Sequence, residues 1–224
     1  MWTNKYLALV LILVIVSVSA FQRGEEWRKT RTTPFQFVHD TDQYYSYLPA
    51  AFIHKDLTFS FPNNYWLVEN QNGLLMPRST MGMSYMYAPF FFVGHLISKS
   101  SDVHDADGYS LPYSLSIWYG SVIYFLVGVV FLFFALIRYV HPWIAAFVIL
   151  IVLYGTNLLH YTFVEGAMTH VYLFAAFSAF IYFTIKWHDN YQAKHLYVLA
   201  LLYGLSIMIR QSEIFLILFF GLPS

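Results

Sequence analysis

Cysteine is absent from this chain of 224 residues, which excludes disulfides, Cys-ligated zinc and thiol nucleophiles and leaves the redox compartment open. Charge is scarce too. Asp, Glu, Lys and Arg together make up 11% of the sequence, against about 25% in soluble domains, so water is not the main solvent for most of the chain. The 12 basic and 12 acidic residues cancel, which removes any electrostatic case for nucleic acid or a strongly anionic partner. No internal repeat or low-complexity tract is present.

What the chain has in quantity is apolar surface. Hydrophobic residues reach 58% and aromatics 21%, with 19 Tyr and 22 Phe, and the mean hydropathy is +0.54. Rings in such number are natural where Tyr and Trp line both interfaces of a bilayer.

A membrane-crossing helix needs about 20 mostly apolar residues, at about 1.5 Å per residue across a core about 30 Å thick. Runs of that kind are expected as spans at about 6–21, 117–137, 143–161, 167–185 and 196–210. Arg138 with His141-Pro142 closes the second, Lys186-Trp187-His188-Asp189 the fourth, and Arg210 the fifth. A run at about 213–224 is too short to cross and reads as the start of a truncated sixth, so the chain is expected to be the N-terminal part of a longer protein. The fold class is therefore an all-α, polytopic transmembrane helix bundle with a long outer loop at about 22–113. In the first run, Lys5, the apolar stretch and Val18-Ser19-Ala20 also resemble a secretory signal. An uncleaved helix is the preferred reading, because the loop that follows returns to the membrane.

Positive residues in short loops stay on the cytoplasmic side. Arg138, His141, Lys186, His188 and Lys194 therefore place two connections inside and the long loop outside. Arg23, Arg28, Lys29 and Arg31 argue the other way, but they sit in a long loop, where the rule is weak.

Within that loop, residues 42–53 have helix-like spacing, with Tyr44, Tyr47 and Leu48 on one face and Asp40 or Thr41 as N-cap. Phe61-Pro62-Asn63-Asn64 and Gln71-Asn72-Gly73 are turn signals. Residues 81–97, broken by Pro89, read as a helix lying in the membrane interface, with a crossing helix as the alternative. Asp102, Asp105 and Asp107 form an acidic turn before the second span.

The feature that points to chemistry is the acidic-aromatic run His39-Asp40-Thr41-Asp42-Gln43-Tyr44-Tyr45. It sets two carboxylates at the edge of a bilayer, in reach of a lipid-borne substrate. Alone, Asp-x-Asp is a short motif: a helix N-cap beside a solvated neighbour has the same letters, and so does a Mg²⁺ or Mn²⁺ site built from hard oxygens.

The arrangement resembles the GT-C membrane glycosyltransferases, which use polyprenyl-phosphate-linked sugars, and within them the protein mannosyltransferase and aminoarabinose transferase branch. There the outer loop opens with Asp-Glu and an aromatic residue four positions after the Asp; Asp40 and Tyr44 match. The adjacent Glu is replaced by Thr41, and the second carboxylate is displaced to Asp42. Tyr45-Ser46-Tyr47-Leu48-Pro49-Ala50 and His54-Lys55-Asp56-Leu57 are similar to the continuation in bacterial members, and residues 83–92 resemble a second juxtamembrane helix. The resemblance implies a GT-C-like bundle in a bacterial plasma membrane, with its active site on the outer side. It also implies a polyprenyl-phosphate sugar donor, a lipid, glycan or protein acceptor, and Asp40 as the base.

Sugar transfer to a hydroxyl needs a base for the acceptor proton. Partial desolvation raises a carboxyl's pKa towards that task, and the leaving phosphate needs a cationic seat. Asp40 and Asp42 are the catalytic candidates, Asp42 orienting the acceptor or holding a divalent ion. No metal site is assigned, and a Mg²⁺ or Mn²⁺ requirement stays open. Tyr44 and Tyr45 are candidates for stacking on a sugar, Arg210 and Arg78 for phosphate, and Glu165 and His170 for lining the site. Two other classes remain: a transporter or channel component, with broken helices and mid-span charges, and a non-catalytic scaffold subunit indifferent to Asp40 and Asp42.

Overall fold

The structure is a computed structural model that describes the backbone of residues 2–30, 37, 40–61 and 67–221, and the side chains of the same residues except 2–4 and 23–30. His39, Arg31, residues 62–64 of the first turn signal, Pro223 and the side chains of Arg23, Arg28 and Lys29 lie outside the described residues.

The chain is predominantly helical. In order come α1 (Trp2–Thr30), α2 (Asp40–Tyr45), α3 (Tyr47–Pro49) and a π-helical turn (Ala50–His54), then β1 (Leu67–Glu69) and β2 (Leu75–Pro77). After them follow α4 (Gly82–Lys99), α5 (Leu111–Leu136), α6 (Pro142–Gly155), α7 (Leu158–Phe163), α8 (Thr169–Asn190) and α9 (Ala193–Ile209). A 3-10 turn (Gln211–Leu216) leads into α10 (Ile217–Phe220). Among the described residues, 3 helical segments are long and apolar enough to cross a membrane: Lys5–Gln22 of α1, α5 and α8. Helices α6 and α9 are apolar but shorter, and α4 is not among the three.

Two compact units emerge. The first holds α1, α5 from Ser121 onward, α6 to α8, most of α9 and α10. In it, α1 packs along α6. Ala8, Ile12, Val16 and Ala20 recur every fourth residue and are buried, while Tyr6, Leu7, Val10, Leu11, Val14, Ile15, Val18 and Phe21 are exposed. A helix that is apolar all round and buried on one stripe belongs in a large core or in lipid. A polar pin crosses this interface, where the hydroxyls of Ser19 and Tyr154 bond to each other, and elsewhere in the unit Ser121 of α5 donates to the Thr162 carbonyl of α7 at 2.8 Å.

The expected third span is interrupted. Helix α6 begins correctly for a Pro at its first position, after the extended His141, but it ends at Gly155 because Thr156 turns extended, at φ −128° and ψ 176°. The Thr156 hydroxyl donates to the Val152 carbonyl and accepts from the Leu158 amide. A side chain that competes with the backbone in this way breaks a helix, and α7 carries the path on. The fourth helix runs past its apolar limit through Lys186, His188 and Asp189 to Asn190, where Tyr191 takes a left-handed conformation. Charge ends the lipid-compatible stretch there, not the helix.

The second unit holds α2, α3, the π turn, the hairpin, α4, the start of α5 and Met208–Arg210. The helix expected over 42–53 is present in pieces. Pro49 supplies no backbone N–H, and the next turn widens to π, with the Asp56 amide reaching back to the Ala50 carbonyl at 2.9 Å. The Gln71-Asn72-Gly73 signal is realised as an antiparallel hairpin, Val68 opposite Met76. Its turn is held by the Asn70 side chain, which accepts from the Asn72 and Leu74 amides. Gly73 has the positive φ, +76°, that such a turn demands. The two short strands were not expected from the sequence.

Candidate functional site

Helix α2 presents Asp40 and Asp42 in its first turn, where the partial positive charge of the free amides favours carboxylates. Thr41, Gln43 and Tyr45 face inward and Asp40 is exposed. Asp42 is half-buried, and burial raises its carboxyl from 3.8 to about 7.

Tyr44 lies one turn beyond Asp40, on the same face. Its phenol is pushed above the usual range first by burial and then by the negative charge of Asp40, while the Arg210 guanidinium and a hydrogen bond with the Ser79 side chain pull the other way. Two charged residues far apart in the chain thus act on one phenol. Arg210, at the end of α9, is brought there by close backbone contact. A Cβ added at Gly82, the first residue of α4, would lie 2.2 Å from the carbonyl carbon and oxygen of Met208 and 2.4 Å from the Ile209 nitrogen. Thr80 secures the same contact by donating to the Met208 carbonyl at 2.5 Å.

The segment entering α4 also grips α2 and α3. The Ser79 hydroxyl donates to Gln43 Oε1 at 3.3 Å, and the Ser79 carbonyl accepts from the Tyr47 phenol at 2.8 Å. Ser84 donates to the Tyr44 carbonyl at 2.5 Å. Gln43, Ser79, Thr80, Gly82 and Ser84 were missed in the sequence reading; small polar residues just ahead of an apolar helix were the signal available.

The other sequence candidates separate. Tyr45, a candidate for stacking on a sugar, is fully buried, stacked on Phe37 with ring centres 3.7 Å apart, and donates its hydroxyl to the Gly108 carbonyl. Arg78 is exposed at the end of the hairpin. Glu165 and His170 fold within the first unit. There Glu165 Oε1 lies 3.6 Å from His160 Nε2, and His170 stacks on Tyr161 with ring centres 3.8 Å apart. Among the described residues, no three His, Asp or Glu side chains group as a metal site.

No protein-family model, curated protein or solved structure matches this chain. The second unit thus offers one exposed carboxylate, a phenol and a guanidinium around a short polar segment, and one half-buried carboxyl in the same helix as the first two. That set can remove a proton, orient a hydroxyl and hold an anion.

Proposed function

We propose that this chain is part of a polytopic membrane glycosyltransferase that moves a sugar from a polyprenyl-phosphate donor to an acceptor at the outer face of the membrane. The observation that carries the reading is the convergence of Asp40 and Arg210 on Tyr44, with the half-buried Asp42 in the same helix. Membrane residence is supported by the 3 long apolar helical segments and by the outward apolar residues of α1. Helix α4 is supported as an interfacial element rather than a crossing one. Its start abuts Met208 and Ile209 at the end of α9, while its other end joins the start of α5, with His95 bonded to Tyr113 at 2.6 Å and Ser98 to Ser110 at 3.1 Å. In the expected topology both of those helix ends lie outside.

In the proposed reaction the acceptor oxygen forms a bond to the anomeric carbon. The bond from that carbon to the phosphate oxygen breaks, and its electron pair leaves with the lipid phosphate. Asp42 takes the acceptor proton, since a carboxyl near pKa 7 suits a base at neutral pH. Asp40 holds the acceptor and stabilises the cationic sugar, and Arg210 balances the phosphate charge. This divides the two roles differently from the family resemblance, which assigns the base to Asp40.

The test is transfer from labelled polyprenyl-phosphate sugars by the full-length protein in membranes, wild type beside Asp40→Asn, Asp42→Asn and Arg210→Gln. Collapse in all three well-inserted variants supports the reading, and wild-type rates in the Asp variants end it. The break at Thr156 favours a second reading, a transporter. That reading predicts substrate-dependent flux across sealed vesicles that survives loss of both Asp40 and Asp42.

A further inference from the structure

We propose that the segment from Ser79 to Ser84 is a spacer that sets the distance between the carboxylates of α2 and the Arg210 guanidinium. Gly82 fixes the guanidinium side, and Ser79 and Ser84 fix the α2 side. The inference deepens the glycosyltransferase reading and rests on it only for its functional consequence.

The segment makes two sets of contacts. Toward the acidic side, Ser79 binds Gln43 and Tyr47 at 3.3 and 2.8 Å, Ser79 also meets the Tyr44 phenol, and Ser84 binds the Tyr44 carbonyl. Toward the basic side, Thr80 binds the Met208 carbonyl, two residues before Arg210. At Gly82 the backbones meet with no room for a methyl group: the contact of 2.2 Å falls on main-chain atoms, which cannot rotate away. Any side chain at position 82 therefore pushes Met208–Arg210 outward and takes the guanidinium with it. The glycine's φ is not in the left-handed region, so close approach and not backbone freedom is what requires it.

A donor phosphate held by Arg210 and an acceptor held by Asp40 and Asp42 must meet at one carbon. Displacement of about 1 Å can cost about 100-fold in such a geometry. Ser79 and Gly82 touch no reacting atom in this scheme; they are positioning residues.

Tyr44 reports the spacing directly, with or without catalysis. The full-length protein, carrying 3-fluorotyrosine at position 44, is titrated by fluorine NMR in lipid nanodiscs. Gly82→Ala moves the guanidinium away, so the phenol midpoint rises. Thr80→Val removes the second contact without crowding and shifts it the same way. Both shifts vanish in an Arg210→Gln background. Ser79→Ala raises the midpoint with or without Arg210, and Ser79→Thr restores it. In the transfer assay Gly82→Ala raises the donor KM about tenfold and leaves the acceptor KM unchanged. A midpoint untouched by Gly82→Ala and Thr80→Val, or shifts that persist without Arg210, overturns the spacer. No sugar transfer by the wild type overturns the function while the titration still decides the spacer.

Discussion

The Tyr45 hydroxyl donates a 2.5 Å hydrogen bond to the Gly108 carbonyl, tying the acid-bearing helix to the acidic loop ahead of α5. Gly108 has φ +91°, and a Cβ there would lie 3.0 Å from Pro49 and Ile53. Gly108→Ala therefore meets both strain and crowding, at a cost of about 1–2 kcal/mol. Tyr45→Phe leaves a buried carbonyl without its donor and costs about 1 kcal/mol. Thermal unfolding in detergent is expected to rank Gly108→Ala and Tyr45→Phe below wild type, with Tyr44→Phe near it. Equal melting of Tyr45→Phe and wild type would remove the hydrogen bond from the account.

Asp42 titrates near 7 when folded and at 3.8 when unfolded, because burial disfavours its charge. The folded chain holds this proton more tightly. Its stabilising contribution is complete below pH 3.8 and is lost as pH rises through about 7. Asp42→Asn should flatten stability over that window, measured as melting temperature against pH. As the base, Asp42 works only when ionised, so transfer should rise through pH 7 and fall about 100-fold or more in Asp42→Asn. A rate profile flat across that pH in wild type argues against Asp42 as the base.

Arg138 and Asp189 form a two-point ion pair, at 3.0 and 2.5 Å, between the ends of α5 and α8. Their side chains are 48% and 23% exposed, so solvent screens the pair. A double-mutant cycle with Arg138→Gln and Asp189→Asn should return a coupling below about 1 kcal/mol that shrinks with added salt. A larger, salt-insensitive coupling would show that the pair is shielded from water.

Helix α4 is apolar on both faces: Met83, Met86, Tyr87 and Phe91 are buried, while Tyr85, Phe92, Val93, Leu96 and Ile97 are exposed. Since the chain has no cysteine, single spin labels report cleanly. Labels replacing Phe92 or Leu96 should be relaxed more by oxygen than by a water-soluble nickel chelate in reconstituted vesicles. The exposed loop residue Val103 should show the reverse. Chelate access at all three positions would take α4 out of the lipid.

The long apolar helices were legible because length and hydropathy are local properties: a run of apolar side chains, with Arg138 or Lys186 where it stops. The loop helix and the turn at Asn70–Gly73 were legible for a similar reason, since periodicity and turn chemistry act over a few residues. The break at Thr156 was not. One β-branched residue in an apolar run is common, and its hydroxyl acts as a breaker only when it finds both Val152 and Leu158.

By itself the sequence determined the long apolar runs, the helical content and the presence of two carboxylates at the head of α2, all properties of composition and neighbours in the chain. Tertiary packing decided what those residues do. Tyr44 and Tyr45 are adjacent and chemically identical, yet a rotation of about 100° along a helix sends one into the core against Phe37 and leaves the other between Asp40 and Arg210. Which carboxyl loses water, and which distant arginine acts on Tyr44, depend on contacts that no local pattern encodes. The place of Arg210 depends as well on Gly82, whose missing side chain lets two backbones touch.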